Sequence, residues 1–285
     1  MPQPTDSSLP ATLPPGAESL LRALCLTLAA LAAVGAVGFT LQARWATSVW
    51  PWPEVGMSHV WIGSIAFAIA APLLCIAITR EFAALAGLGL NFFVVGAGTA
   101  AYMGWRLARW GDPVAGPMVE SALFGLLGAA AWWWARRLPV RDPRPMPGFV
   151  RAAFVGFVAV LLVTGSAVAL QTERVFPWNL QPPTSTIFGL VFFGAAALFV
   201  HAVVRARWAF AAAPLWSFLA YDLALFVPYF GMLGAEPSSA LAADYGGAAD
   251  AVNRTSLAVF LLVLSVSWSI GVLNAPRNGW PAGRG

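Results

Sequence analysis

Few side chains in this sequence could do chemistry. Among 12 acidic residues, two histidines and two cysteines, one carboxylate lies deep inside a long apolar run: Asp222, next to Tyr221 in "SFLAYDLALF". Counting from the start of that run puts Asp222 roughly 20 Å along a helix that rises 1.5 Å per residue, in the far half of a bilayer. An ionisable group at such depth costs about 2.5–3.5 kcal/mol on insertion scales, so it stands out as a candidate, with a hydrogen-bonded packing carboxyl the favoured reading and functional use the alternative. No arginine is expected at the same level. Asp222 is therefore protonated, or accepts hydrogen bonds from groups such as Tyr102, Ser121 or Thr99, or lines water.

A second set of candidates comes from two loops. "VWPWPEVG" at 49–56 puts two tryptophans and two prolines in a short connection, and "VFPWNLQP" follows about half a chain later. Proline fixes the backbone at a span end, and the tryptophan ring prefers the headgroup layer, so both loops read as anchored tight turns. In a functional version, Trp50, Trp52, Phe176 and Trp178 frame an outward-facing aromatic mouth that could lodge a ligand or lipid. Weaker candidates are Asn91, a mid-span amide able to cross-link helices, Glu120, a first-turn acid favoured by the helix dipole, and His59.

Other chemistries find little footing. His59 starts one span and His201 ends another on the opposite side, about 25 Å apart at helical rise, too far to share an iron or a zinc. Cys25 and Cys75 form no CxxC pair and read as buried thiols. All 16 basic residues are arginine, which excludes a retinal or pyridoxal Schiff base. No hydrolase pattern, phosphate loop or HExxH motif is present, so no catalytic residue and no metal ligand is assigned. No cofactor is expected, although a bound lipid is compatible with the composition. Glu81, beside Arg80, reads as a solvated loop charge.

The elements that position these residues are spans. The 285 residues are 59% hydrophobic and 10% charged, with mean hydropathy +0.74, more than a soluble domain can carry without exposing large apolar patches. Stretches of about 17–25 apolar residues fall at 18–42, 57–79, 82–106, 117–136, 148–170, 183–204, 208–232 and 255–273, an all-α polytopic membrane protein of eight helices. Arginines concentrate on the side that would carry both termini, which the positive-inside rule makes cytoplasmic. The tryptophan loops and the acidic loop 233–253 then face out. The expected location is the bacterial inner membrane. "NRT" at Asn253 reads as an incidental sequon match.

The sequence also repeats. Shifted by 126 positions, Pro51 falls on Pro177, Trp52 on Trp178, Ser58 on Thr184 and Gly63 on Gly189. An apolar span ending in "LQ" precedes each aromatic loop, at Leu41–Gln42 and Leu170–Gln171. This predicts two parallel four-helix repeats, 18–137 and 148–275, related by an axis along the membrane normal. Between them lies a cytoplasmic linker, 138–147, and at the ends lie tails 1–17 and 276–285, the first disordered.

Small-residue stripes (Gly35 and Gly38, Ala83–Gly87, Gly96–Ala100, Ser121–Gly125–Ala129) read as helix contacts. Trp132, Trp133 and Trp134 against Arg136 and Arg137 read as an interfacial anchor. A small-molecule or lipid transporter or binding protein is slightly favoured. The alternative is a structural or accessory subunit of a membrane complex, and an intramembrane enzyme is the weakest reading, because polar groups do not converge at one depth. Membrane lipids are the expected partners, with a membrane-protein partner or a homo-oligomer as further options and no nucleic acid.

Overall fold

The structure is a computed structural model describing residues 13–172, 175, 176, 178, 180–234, 261, 265, 266 and 268–273. The described residues are helical, with a single isolated bridge between Pro145 and Arg207 and no strand. The elements in chain order are α1 (Pro15–Thr40), α2 (Arg44–Thr47), α3 (Gly56–Thr79), a 3-10 turn (Phe82–Ala84) running into α4 (Leu85–Trp110), α5 (Ala115–Ala135), α6 (Gly148–Ala169), α7 (Pro182–Arg205) and α8 (Trp208–Gly234). Residues 268–273 are helical again.

Six of these helices are long and apolar enough to cross a bilayer: α1, α3, the 3-10 turn with α4, α6, α7, and α8 as far as Phe226. The chain is a multi-pass membrane protein. Its outer faces fit that solvent, since Leu24 and Leu28 on α1, Leu126 and Leu127 on α5 and Val160 and Val163 on α6 are all exposed. The span expected at 117–136 corresponds to α5, which carries three tryptophans and Glu120 and is not one of the six. Its 21 residues still rise about 31 Å. The span at 255–273 and the loop 233–253 lie mostly outside the described residues, as do both tails and Pro177.

The helices stop where the sequence supplies stops. Gln42 and Gln171, the second letters of the two "LQ" pairs, both take left-handed backbone, with φ of 54° and 59°. Beyond each, an amide reaches back five residues, Ala43 N to Gly38 O at 2.8 Å and Thr172 N to Ala167 O at 2.9 Å, the bond that closes a Schellman cap. Arg80 and Ala206 end α3 and α7 in the same left-handed conformation.

Packing follows the small residues. α1 lies against α3, α6 against α7, and α4 against α5, while α3 also meets α8 and α4 also meets α7. At the α4–α5 seam, a Cβ built on Gly96 would sit 2.4 Å from Gly125 N, and one on Gly128 would sit 2.5 Å from Phe93 N. Backbones this close require glycine on both sides. Gly63 presses on Ala36 and Thr40 of α1, and Gly189 presses on Gly165 and Ala169 of α6. Pro72 and Pro214 lie inside α3 and α8, as their positions in the spans predict, and Pro228 is a further one in α8.

Candidate functional site

α8 carries Asp222 through the middle of the fold, and the carboxylate is 2% exposed. It accepts a hydrogen bond from the Ser265 hydroxyl of the last helical segment. Tyr102, Thr99 and Ser121, the donors anticipated from sequence, are not its partners: Tyr102 accepts from Arg106 instead, and Thr99 Oγ1 is buried with no partner among the described residues. The reason is the rotation of α8, which turns Asp222 toward α6, α7 and the final helix rather than toward α4 and α5.

On that side lies a groove of about 740 Å³. Its polar groups are Asp222, Ser265, Ser269 and Tyr221; no arginine or histidine lines it among the described residues. The rest of the wall is largely aromatic. Phe157 meets Phe218 at 4.3 Å between ring centroids, Phe154 meets Phe199 at 4.7 Å, and Phe199 meets Phe218 at 5.3 Å. Val160 and Leu261 also line it and are both exposed, so the groove opens toward the lipid-facing surface.

Next to it, between α3, α4, α7 and α8, is a smaller cavity of about 100 Å³. Phe199, Phe218 and Tyr221 line both spaces and form the partition. The Tyr221 hydroxyl accepts a hydrogen bond from Trp61 Nε1 at 2.8 Å, and Trp61 stacks on Phe188 at 3.9 Å. Asn91 lines this inner cavity where α4 crosses α7, so close to Gly194 that a Cβ there would lie 2.3 Å from Asn91 Oδ1. Ser217 lines it where α8 crosses α3 and donates to Ala68 O at 2.7 Å. Asn91 and Ser217 are 126 positions apart, and so are Ala68 and Gly194.

The four loop aromatics gather at one end. Trp50 Nε1 donates to Thr184 Oγ1 at 3.2 Å and Trp178 Nε1 donates to Ser58 Oγ at 3.0 Å. Each tryptophan thus bonds the start of the helix that follows the other loop. Trp50 and Trp52 meet edge-on at 6.0 Å, and Phe176 packs on Trp178 at 5.0 Å. Trp178 is buried, and Trp50 and Phe176 pack against the cluster around Trp61 and Phe188, so these rings fill this end of the fold. His59 stacks on Phe39, away from that cluster. Glu120 is exposed and belongs to the second turn of α5, not the first, because α5 begins at Ala115.

The opposite end is held by charge. Glu81 is buried rather than solvated, because its Oε2 accepts the backbone amides of Arg141 and Asp142, both at 2.9 Å. Burial pushes its carboxyl above the ordinary range, against the downward pull of those two amides. Glu18 of α1 pairs with Arg80 at 3.0 Å and Arg141 at 2.8 Å. The linker is further tied by Trp208 N to Arg144 O and Met146 N to Ala206 O. Arg136 covers the Trp133 ring at 3.5 Å, a cation–π contact.

Asp222 and Tyr221 therefore share one groove, and Asn91 sits behind its partition. The loop aromatics form a separate cluster reached through Trp61. Ser265, Ser269, Trp61 and Ser217 escaped the sequence reading. The first two are spaced i, i+4 on an apolar helix, which is a visible polar stripe, and Ser217 falls on Asn91 in the 126-position shift. His201 ends α7 beside Phe210 and makes no cluster with His59; among the described residues, no three His, Cys, Asp or Glu side chains gather as metal ligands would. No protein-family model, curated protein or solved structure matches this chain.

Proposed function

We propose that this chain is an inner-membrane protein of eight spans with cytoplasmic termini, which takes a lipid-like or other small apolar ligand from the bilayer into the Asp222 groove, for binding or transport. The single observation carrying this reading is a carboxylate 2% exposed at the wall of an aromatic groove that opens on the lipid side and holds no basic side chain among the described residues. A group so costly to bury without a counter-charge is retained for what it meets.

Two parallel four-helix halves, 18–137 and 148–275, are part of the proposal. It is supported by the matched caps at Gln42 and Gln171, by the matched contacts of Gly63 and Gly189, and by the exchange in which α3 packs on α8 and α4 on α7. Ligand sites of repeat-built membrane proteins lie near the midplane where the repeats meet. The cavity lined by Asn91 and Ser217 lies between those crossings, and the Asp222 groove adjoins it.

The test is extraction of small molecules from the protein purified in mild detergent, compared with Ala153→Trp, which places an indole in the groove. The expected result is a molecule at about one per chain that the variant loses while still eluting as a single species. Identical extracts from both proteins overturn the groove as the site and favour the accessory-subunit reading.

A further inference from the structure

We propose that the ligand of the Asp222 groove is an amphiphilic organic cation, an ammonium carried on an apolar body, which enters as the aspartate gives up a proton. The inference rests on the groove being a ligand site and adds the ligand's charge and the exchange.

Three features of the groove select that chemistry. First, an ionised carboxylate only accepts hydrogen bonds, and Asp222 receives one from Ser265. The titratable groups facing it are few: Tyr221 on α8 is its neighbour, and α6, α7 and the last helical segment contribute none among the described lining residues. A bare carboxylate there, with no cation beside it, is costly. Second, the wall presents Phe154, Phe157, Phe199, Phe218, Tyr221 and Trp268. Ring faces carry negative quadrupole density, and a desolvated cation gains from them what a neutral or anionic head does not. Third, about 740 Å³ suits a drug-sized body.

The exchange balances. The cation enters with its positive charge, the Asp222 carboxyl releases one proton to water, and the groove stays neutral in both states. A neutral lipid would leave the acid unused, and an anionic one would be repelled once the acid ionises.

The experiment uses the full chain in nanodiscs of zwitterionic lipid, with 4-phenylbutyl-trimethylammonium and its uncharged isostere, in which carbon replaces nitrogen. Calorimetry should give the cation an advantage on the order of 30-fold, the size of a desolvated cation–π contribution. Its affinity should rise with pH, and about one proton should be released per cation bound in weak buffer. Asp222→Asn should abolish the proton release and the pH dependence and weaken the cation, leaving it no more than the advantage the rings give, with the isostere's own binding intact. Should Asp222→Asn fail to fold, Asp222→Glu and the wild-type proton count carry the test, and the Glu variant should keep the cation preference. Equal affinities for the two probes, or no proton release, overturn the cation assignment and leave the groove standing as a neutral-ligand site. Binding of neither probe, together with unchanged extracts from Ala153→Trp, overturns both.

Discussion

Replacing Gly96 by alanine should weaken the protein even though alanine is the better helix former. The added Cβ would lie 2.4 Å from Gly125 N, 2.6 Å from Gly125 Cα and 2.7 Å from Ser121 O, where ordinary contacts begin near 3.4 Å. All three are backbone atoms, so no side chain can swing aside, and α4 and α5 must part by about 1 Å. Such overpacking costs about 1–3 kcal/mol. Alanine returns at most about 1 kcal/mol of helix propensity. Gly156, on α6, has nothing within 4 Å of its built Cβ, so Gly156→Ala keeps the whole propensity gain. The two variants should therefore differ by about 1–3 kcal/mol, read as the shift in unfolding midpoint of the detergent-solubilised protein in an SDS titration. Equal midpoints would refute the close seam and, with it, the account of α5 as a helix bound to α4 through glycine.

Further predictions concern the two ends and the centre. Trp178→Phe keeps an aromatic ring but removes the bond to Ser58, and Trp50→Phe does the same to Thr184; each should lose about 1 kcal/mol, and thermal unfolding checks it. Ser217→Ala removes the bond to Ala68 O and should cost about 0.6 kcal/mol, the average for such interhelical bonds, in the same SDS titration. Because burial raises the Glu81 carboxyl above its ordinary value of 4.5, the folded chain binds that proton more tightly than the unfolded one. Stability against global unfolding should accordingly be lowest above the raised value, rise as pH falls through it, and level off below 4.5. The unfolding midpoint in an SDS titration across that range should show the trend in the wild type and a flat profile in Glu81→Gln.

The spans were legible because hydropathy reports directly on what the bilayer accepts. The stretch read as 57–79 is Gly56–Thr79, and 208–232 is Trp208–Gly234. The stretch read as 117–136 is Ala115–Ala135, although three tryptophans and a glutamate dilute its hydropathy and its glycines do the packing. Asp222 was legible as an oddity of depth, but its partner Ser265 lies 43 residues further on, and which face of α8 meets which helix depends on rotation that no local pattern encodes. Glu81 was misread for a related reason. A charge next to an arginine in a short loop looks solvated until a distant linker folds its amides over it.

The exchange of partners between α3 and α8, and between α4 and α7, bears on biogenesis. When a ribosome has delivered the chain only as far as Arg137, two packed pairs exist, α1 with α3 and α4 with α5, each still missing the neighbour that will later wedge in beside it. Trp61 then has no Tyr221 to bond and Trp50 no Thr184. The nascent first half waits, incomplete, for the second to thread through it, so a split product of the gene should be cleared by quality control unless both pieces are made together.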